Sequence, residues 1–136
     1  MSFNDTRNAI EARMVANYST YKVKFENTKF KPPVNTPWLA LTVQDGEAFN
    51  ASIGTARRVQ RHPGIIQVDI YVPENQGTKT SREIADAVAV IFNTVQFSLG
   101  SSGTISTRAP ALQGLGIEEG WDRKVLSIPF IRDVIA

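Results

Sequence analysis

At 136 residues, 42% hydrophobic and 21% charged, the chain has the length and make-up of one globular domain, and a single domain over residues 1–136 is expected. Cysteine is absent, which excludes disulfides, thiolate zinc sites, iron–sulfur ligation and cysteine nucleophiles together. Fifteen Lys and Arg against thirteen Asp and Glu leave a net charge of +2, too small an excess for a protein held to nucleic acid by bulk charge.

The first element is a helix. Asp5 or Thr6 serves as its cap, good helix formers run from Asn8 to Met14, and Phe3, Ile10 and Met14 share a face. It is expected to end near Ala16, with a short strand following around Tyr21–Phe25. Pro32, Pro33 and Pro37 then hold the chain extended. Trp38–Val43 reads as a strand, and its apolar residues fall on both faces, which places it inside a sheet. From Gln44 to Gly54 the pattern dissolves into a loop or irregular strand.

Arg57, Arg58, Arg61 and His62 cluster next, with Pro63-Gly64 read as punctuation. Ile66, Val68, Ile70 and Val72 alternate with Gln67, Asp69 and Tyr71, the signature of a strand with one buried face. Pro73–Gly77 breaks it. Thr80-Ser81-Arg82-Glu83 has the form of a capping box. Ile84, Val88, Ile91, Phe92 and Val95 follow as an apolar stripe, with Ala85, Ala87 and Ala89 as small neighbours, so a helix over about Ser81–Thr94 is predicted. Gly100–Gly103 is a flexible connector. Gly103–Ala109 and Ala111–Ile117 read as strands separated by Pro110, and Arg123–Ile131 as a last strand with Leu126, Ile128 and Phe130 on its apolar face. Pro129 cannot donate to a ladder, so that strand must lie at an edge or face a gap there. The order predicts an α+β fold: two helices packed on a largely antiparallel, mixed sheet.

Catalytic patterns are missing. The single His62 cannot build a His-rich metal site, and no G-x-S-x-G elbow accompanies a Ser-His-Asp set; His62 reads as a structural or surface histidine. Gly114, Gly116 and Gly120 have the wrong spacing for a dinucleotide fingerprint and precede a strand, so they read as a strand connection or bulge. Glu118 and Glu119 are adjacent on an extended segment and point to opposite faces, which makes a solvated turn, not a paired-carboxylate site. No catalytic residue, cofactor or metal is expected.

Two features remain as candidates for an interface. Three Arg in five residues, Arg57, Arg58 and Arg61, carry a local charge suited to phosphate or to carboxylates on a neighbouring subunit; no aromatic interleaves them, which disfavours a single-strand stacking platform. Trp38 reads as core, while Trp121 is either a cap on the core edge or an anchor for a partner. No apolar run approaches the ~18 residues that span a bilayer, and the N-terminal residues lack a secretory pattern, so a soluble intracellular protein without a membrane partner is expected.

Taken in order, the Ala9-Ile10-Glu11-Ala12-Arg13 helix, the Pro-rich approach to Pro37-Trp38-Leu39, the block from Arg61-His62-Pro63-Gly64 through Val72-Pro73 to Ala85-Asp86-Ala87 and Ile91-Phe92, and the closing Gly120-Trp121, Ser127-Ile128-Pro129-Phe130 and Arg132-Asp133 resemble the phage tail terminator-like proteins of tailed phages and prophages. The resemblance spans almost the full length. It implies a tail-terminator fold without enzymatic activity and a ring of identical subunits, typically hexameric. That ring would cap the tail tube, stop its polymerisation and present a surface to head-completion proteins. It implies the tail tube protein and neck proteins as partners, DNA only in passage through the lumen, and a place in the virion tail after assembly in the bacterial host cytoplasm. Arg57, Arg58, Arg61, Trp121 and Pro129 are the candidate interface or lumen residues, the last as a break in a sheet edge. The alternatives are a small nucleic-acid-binding module using the Arg-rich loop, or another neck or head-completion protein.

Overall fold

A computed structural model describes residues 3–50, 59–75, 77–98 and 103–135. Helix α1 spans Phe3–Asn17 and α2 Lys79–Phe92; the strands are β1 Lys22–Phe25, β2 Trp38–Asp45, β3 Phe49–Asn50, β4 Val59–Pro73, β5 Gln96–Ser98, β6 Thr104–Thr107, β7 Ala111–Glu118 and β8 Trp121–Ile135. They form one sheet in the order β1-β2-β4-β8-β6-β5, with β3 added to β4 and β7 to β8. Among the described residues only β1 and β2 pair in parallel; the other pairings are antiparallel. The α+β expectation holds.

The spine of the sheet is the β4–β8 pair, in register from Val59↔Ile135 to Pro73↔Trp121. Ile66, Val68, Ile70 and Val72 of β4 and Leu126, Ile128 and Phe130 of β8 are buried as the alternation predicts, and α1 and α2 cover them through Ile10, Met14, Ile84, Val88, Ile91 and Phe92. Burying side chains of this size contributes about 1.5–3 kcal/mol each relative to exposure, so this single layer dominates the stability.

Several local expectations give way to tertiary demands. Pro63-Gly64 does not interrupt β4. Pro63 stands one residue past the end of the β2 ladder, which closes at Asp45↔Gly64, and its carbonyl accepts from Gly46 N at 2.8 Å, so its missing donor costs no ladder bond. Gly64 is required because a Cβ there would strike the Phe130 ring and the Gln44 carbonyl. Helix α1 begins at Phe3, so Asp5 and Thr6 lie inside its first turn and do not cap it. Thr6 instead is buried and accepts from Arg132 Nη1 at 2.6 Å, while Phe3 is 58% exposed and leaves the core stripe to Thr6, Ile10 and Met14. The capping box does not form: α2 starts two residues earlier, with Thr78 at the N-cap making no side-chain cap bond. Glu83 faces Lys79 Nζ at 3.8 Å, and Ser81 Oγ donates to the Thr78 carbonyl at 3.0 Å. Helix α2 stops at Phe92, because Asn93 is extended and Thr94 has a positive φ. Of the three alanines expected against the sheet, Ala85 is buried, Ala89 is half-buried and Ala87 is exposed.

Strand β8 is central and flanked on both sides, so the edge position foreseen for Pro129 is not found. The gap is. On the side away from β4, β7 pairs with β8 up to Ser127 and β6 takes over at Phe130. Arg108 N donates to the Pro129 carbonyl at 2.8 Å in the crossing between them. A residue's N and O point to the same side of an antiparallel strand, so the proline nitrogen faces this gap.

Candidate functional site

The candidate residues divide once placed. Arg57 and Arg58 fall outside the described residues. Arg61 lies in β4 opposite Asp133 of β8 and donates to it twice, from Nε to Oδ1 at 2.9 Å and from Nη2 to Oδ2 at 3.1 Å. That hydrogen bonding, then the carboxylate's charge, raises the guanidinium's pKa. One edge of the guanidinium, Nε and Nη2, is therefore engaged within the chain, tying the ends of the two long strands together.

His62, the next residue, turns inward and is buried. The Phe3 ring meets it edge-on at 6.0 Å, and the guanidinium of buried Arg132 lies 5.4 Å over the same ring. Burial pushes the imidazole's pKa down, and the positive charge of Arg132 pushes the same way. A neutral histidine packed under a helix terminus is a structural residue, in line with the sequence reading. Burial likewise lowers the Arg132 pKa.

Trp121 belongs to an aromatic cluster on the sheet face turned away from the helices. Trp38 stacks on Tyr71 with centroids 4.1 Å apart and planes 8° from parallel, Trp121 meets Trp38 edge-on at 6.1 Å, and Phe30 lies at 5.2 Å. Trp38 is thus buried as expected, but in this second layer and not in the helix-covered core. Arg123 sits 5.8 Å over the Tyr71 ring and 3.4 Å from Asp69 Oδ2. Burial, then the Asp69 charge, raises the Tyr71 pKa. Period-2 alternation marked Asp69 and Tyr71 as the face opposite the core; it carried no signal that this face has aromatic and ionic partners of its own.

Two open concavities flank the cluster. One of about 360 Å³ is bordered by Lys24, Glu26, Trp38, Thr42, Asp69 and Tyr71. The other, of about 490 Å³, lies between Pro32–Asn35 and the Glu119-Gly120-Trp121 turn. Neither gathers a nucleophile with a base. Among the described residues no group of three His, Cys, Asp or Glu is placed to hold a metal ion, and no helix is long and apolar enough to cross a membrane.

The glycine run resolves as read. A bulge separates Gly114 from Gly116, whose φ is +84°, and Glu119-Gly120 forms a two-residue hairpin turn with φ of +52° and +85°. Glu118 faces Arg123 at 4.0 Å; Glu119 sits exposed at the tip. Pro129 is exposed on the aromatic-cluster face, opposite exposed Ile65.

One feature went unread in the sequence: Lys22, Lys24, Lys29 and Lys31, four exposed lysines in ten residues. Their spacing passes for ordinary surface until β1 is known to be the end strand of the sheet.

The described residues form an α+β domain in which Arg61–Asp133 joins β4 to β8 and Arg132–Thr6 joins β8 to α1. The profile of the phage tail terminator protein family matches residues 5–123, and the chain belongs to that family. The family is one of structural proteins, which gives this chain a structural role in the phage tail and in virion assembly. No functionally curated protein matches the chain. Among solved structures 15 chains match. One of these superposes with a TM-score of 0.74 at 22% identity, over 98% of this chain and 96% of the other, and that likeness shows the fold.

Proposed function

We propose that the protein is the ring-forming tail terminator of its phage: copies close into a ring, typically of six, on the head-proximal end of the tail tube, stop its polymerisation and present the surface to which head-completion proteins attach. The observation that carries this reading is the family match over residues 5–123. The folded domain is compatible with it: Arg61–Asp133, Arg123–Asp69 and Arg132–Thr6 tie its own elements together. On this reading assembly takes place in the bacterial host cytoplasm, the tube protein and neck proteins are the partners, DNA only passes through the lumen, and no bond is made or broken. Of the candidate residues, Trp121 beside its concavity and exposed Pro129 remain suited to a contact. Arg61 already holds Asp133 through Nε and Nη2, so it offers less of its guanidinium to a phosphate than the sequence alone suggests.

The test is deletion of the gene in its phage followed by electron microscopy of lysates. Tails of irregular, excessive length that fail to join heads are expected. Virions with tails of normal length, properly attached, overturn the reading.

A further inference from the structure

Resting on the ring reading, we propose that neighbouring subunits join edge to edge, the outer edge of β1 in one copy pairing with the outer edge of β7 in the next. Among the described residues β1 is paired only to β2, and β7 only to β8. Both thus carry a row of backbone donors and acceptors with no partner strand. By contrast the stretch of β2 beyond β1 is stoppered: Val43 N, the first ladder amide past the β1 pairing, donates to Glu26 Oε1 at 2.7 Å.

The two open edges are complementary on both faces. Lys22 and Lys24 are the register partners of Trp38 and Ala40, so they project from the aromatic-cluster face. Glu118 is the partner of Trp121, which touches Trp38, so it projects from that same face. None of Lys22, Lys24, Lys29 and Lys31 enters an ion pair among the described residues, and Glu119 has none either. On the helix side Val23 and Phe25 of β1 pack at the margin of the core. Ile117 of β7 lies on that side too: its partner Asp122 pairs in turn with buried Val72, and Ile117 is 62% exposed. A β1–β7 junction therefore sets Lys22 and Lys24 beside Glu118 on one face and apolar residues beside apolar residues on the other, and continues a single sheet from copy to copy.

The charges also choose among pairings. Two β1 edges would bring lysines together, and two β7 edges would bring glutamates together; only the mixed pair attracts. The other strands with a single partner among the described residues, β3 (Phe49-Asn50) and β5 (Gln96-Phe97-Ser98), have no charge to offer. Because β1 and β7 lie on different borders of the sheet, the junction is head-to-tail, the kind that closes into a ring when its rotation permits.

The absence of cysteine makes a direct test clean. Lys24→Cys and Glu118→Cys are introduced singly and together into the chain that complements a deletion phage, and assembled tails are oxidised and run on denaturing gels. The double variant is expected to give a ladder of disulfide-linked multimers, and each single variant none. Separately, Lys22→Glu with Lys24→Glu is expected to cut the multimer recovered by native mass spectrometry of dissociated tails about tenfold, since like charges facing across an interface are strongly disfavoured. Adding Glu118→Lys with Glu119→Lys is expected to restore it. If wild-type tails yield a multimer but the double-cysteine variant yields no ladder and charge reversal changes nothing, the ring reading stands and this junction is overturned. If wild-type tails yield no multimer, the ring reading itself fails and the junction with it. Circular dichroism of each variant separates loss of contact from loss of fold.

Discussion

Gly64 offers the sharpest check on how the sheet is packed. It sits in β4 between Asp45 of β2 and Phe130 of β8. An added Cβ would meet Phe130 Cζ, Phe130 Cε1 at 2.7 Å and the Gln44 carbonyl oxygen at 2.7 Å. Neither neighbour can swing away: one is backbone and the other is a ring only 2% exposed. Overpacking of this kind costs about 1–3 kcal/mol. Against it stands the ~0.4–1 kcal/mol that Gly→Ala gains by stiffening the unfolded chain. The net expectation for Gly64→Ala is a loss of about 1–2 kcal/mol, or roughly 1 M in the urea midpoint at the slopes typical of small domains. Phe130→Leu removes the offending ring atoms and on its own lowers stability by leaving a gap. In that background Gly64→Ala should cost less, though not nothing, because the Gln44 carbonyl stays. Equilibrium urea unfolding of the four proteins, followed by tryptophan fluorescence, supplies the double-mutant cycle. A wild-type midpoint for Gly64→Ala, or an equal penalty in both backgrounds, would refute the claim that the aromatic ring occupies the glycine's side-chain space.

Thr107 is buried, donates to the Phe92 carbonyl and accepts from Val95 N at 2.9 Å, tying the end of α2 to β6. Thr107→Val is expected to lower stability by about 1–3 kcal/mol by orphaning those groups, read as a drop in Tm by calorimetry. His62, with its pKa held below the ordinary histidine value by burial and Arg132, is neutral in the fold and takes up its proton more readily when unfolded. Stability should therefore be complete above about pH 6.5 and fall as the pH drops toward the folded-state pKa. Chemical unfolding at a series of pH values should show this slope in the wild type and a flatter one in His62→Leu; identical slopes would contradict it. Because Asp133 occupies the Nε–Nη2 edge of the Arg61 guanidinium, Arg61→Gln should leave retention on a duplex-DNA column at low salt unchanged. A marked loss of retention would return Arg61 to the list of phosphate contacts.

Periodicity was enough to read the core, and tertiary accounting was needed for much else. Ile66, Val68, Ile70 and Val72 announced their buried face because one side of β4 meets helices, a local pattern with a single cause. The extent of β4 and β8 was hidden: Pro63-Gly64 is a breaker by local rules, yet here the proline falls beyond its neighbour's ladder and the glycine receives a ring from β8. At the start of α1 Thr6 is taken by a distant partner, Arg132, and at the start of α2 Glu83 turns to Lys79 one helical turn away in place of a Thr80 cap. The arginine cluster drew attention as a charge excess in sequence, but Asp133, 72 positions away, answers one of its members. The second aromatic layer left no trace in the pattern, since Phe30, Trp38, Tyr71 and Trp121 come from four separate segments and meet only when the sheet is formed.

The disposition of cations connects this fold to assembly. Those of β4 and β8 named here have partners inside the chain: Arg61 has Asp133, Arg123 has Asp69 and the Tyr71 ring, Lys124 has Asp122 at 3.8 Å, and Arg132 has Thr6 and the Phe3 ring. Such groups fix register and orientation, and removing one damages the subunit before it touches any contact between subunits. The lysines of 22–31 are the reverse case. Their charge contributes little to the isolated domain, because exposed and unpaired ammonium groups are well solvated, so their substitution should leave folding intact. A defect in tail assembly from Lys22 and Lys24 variants of unchanged thermal stability is thus a defect in association, whereas the same defect from Arg61 or Arg132 variants says nothing about where subunits meet. The residues to mutate when mapping this ring are the ones the fold does not use.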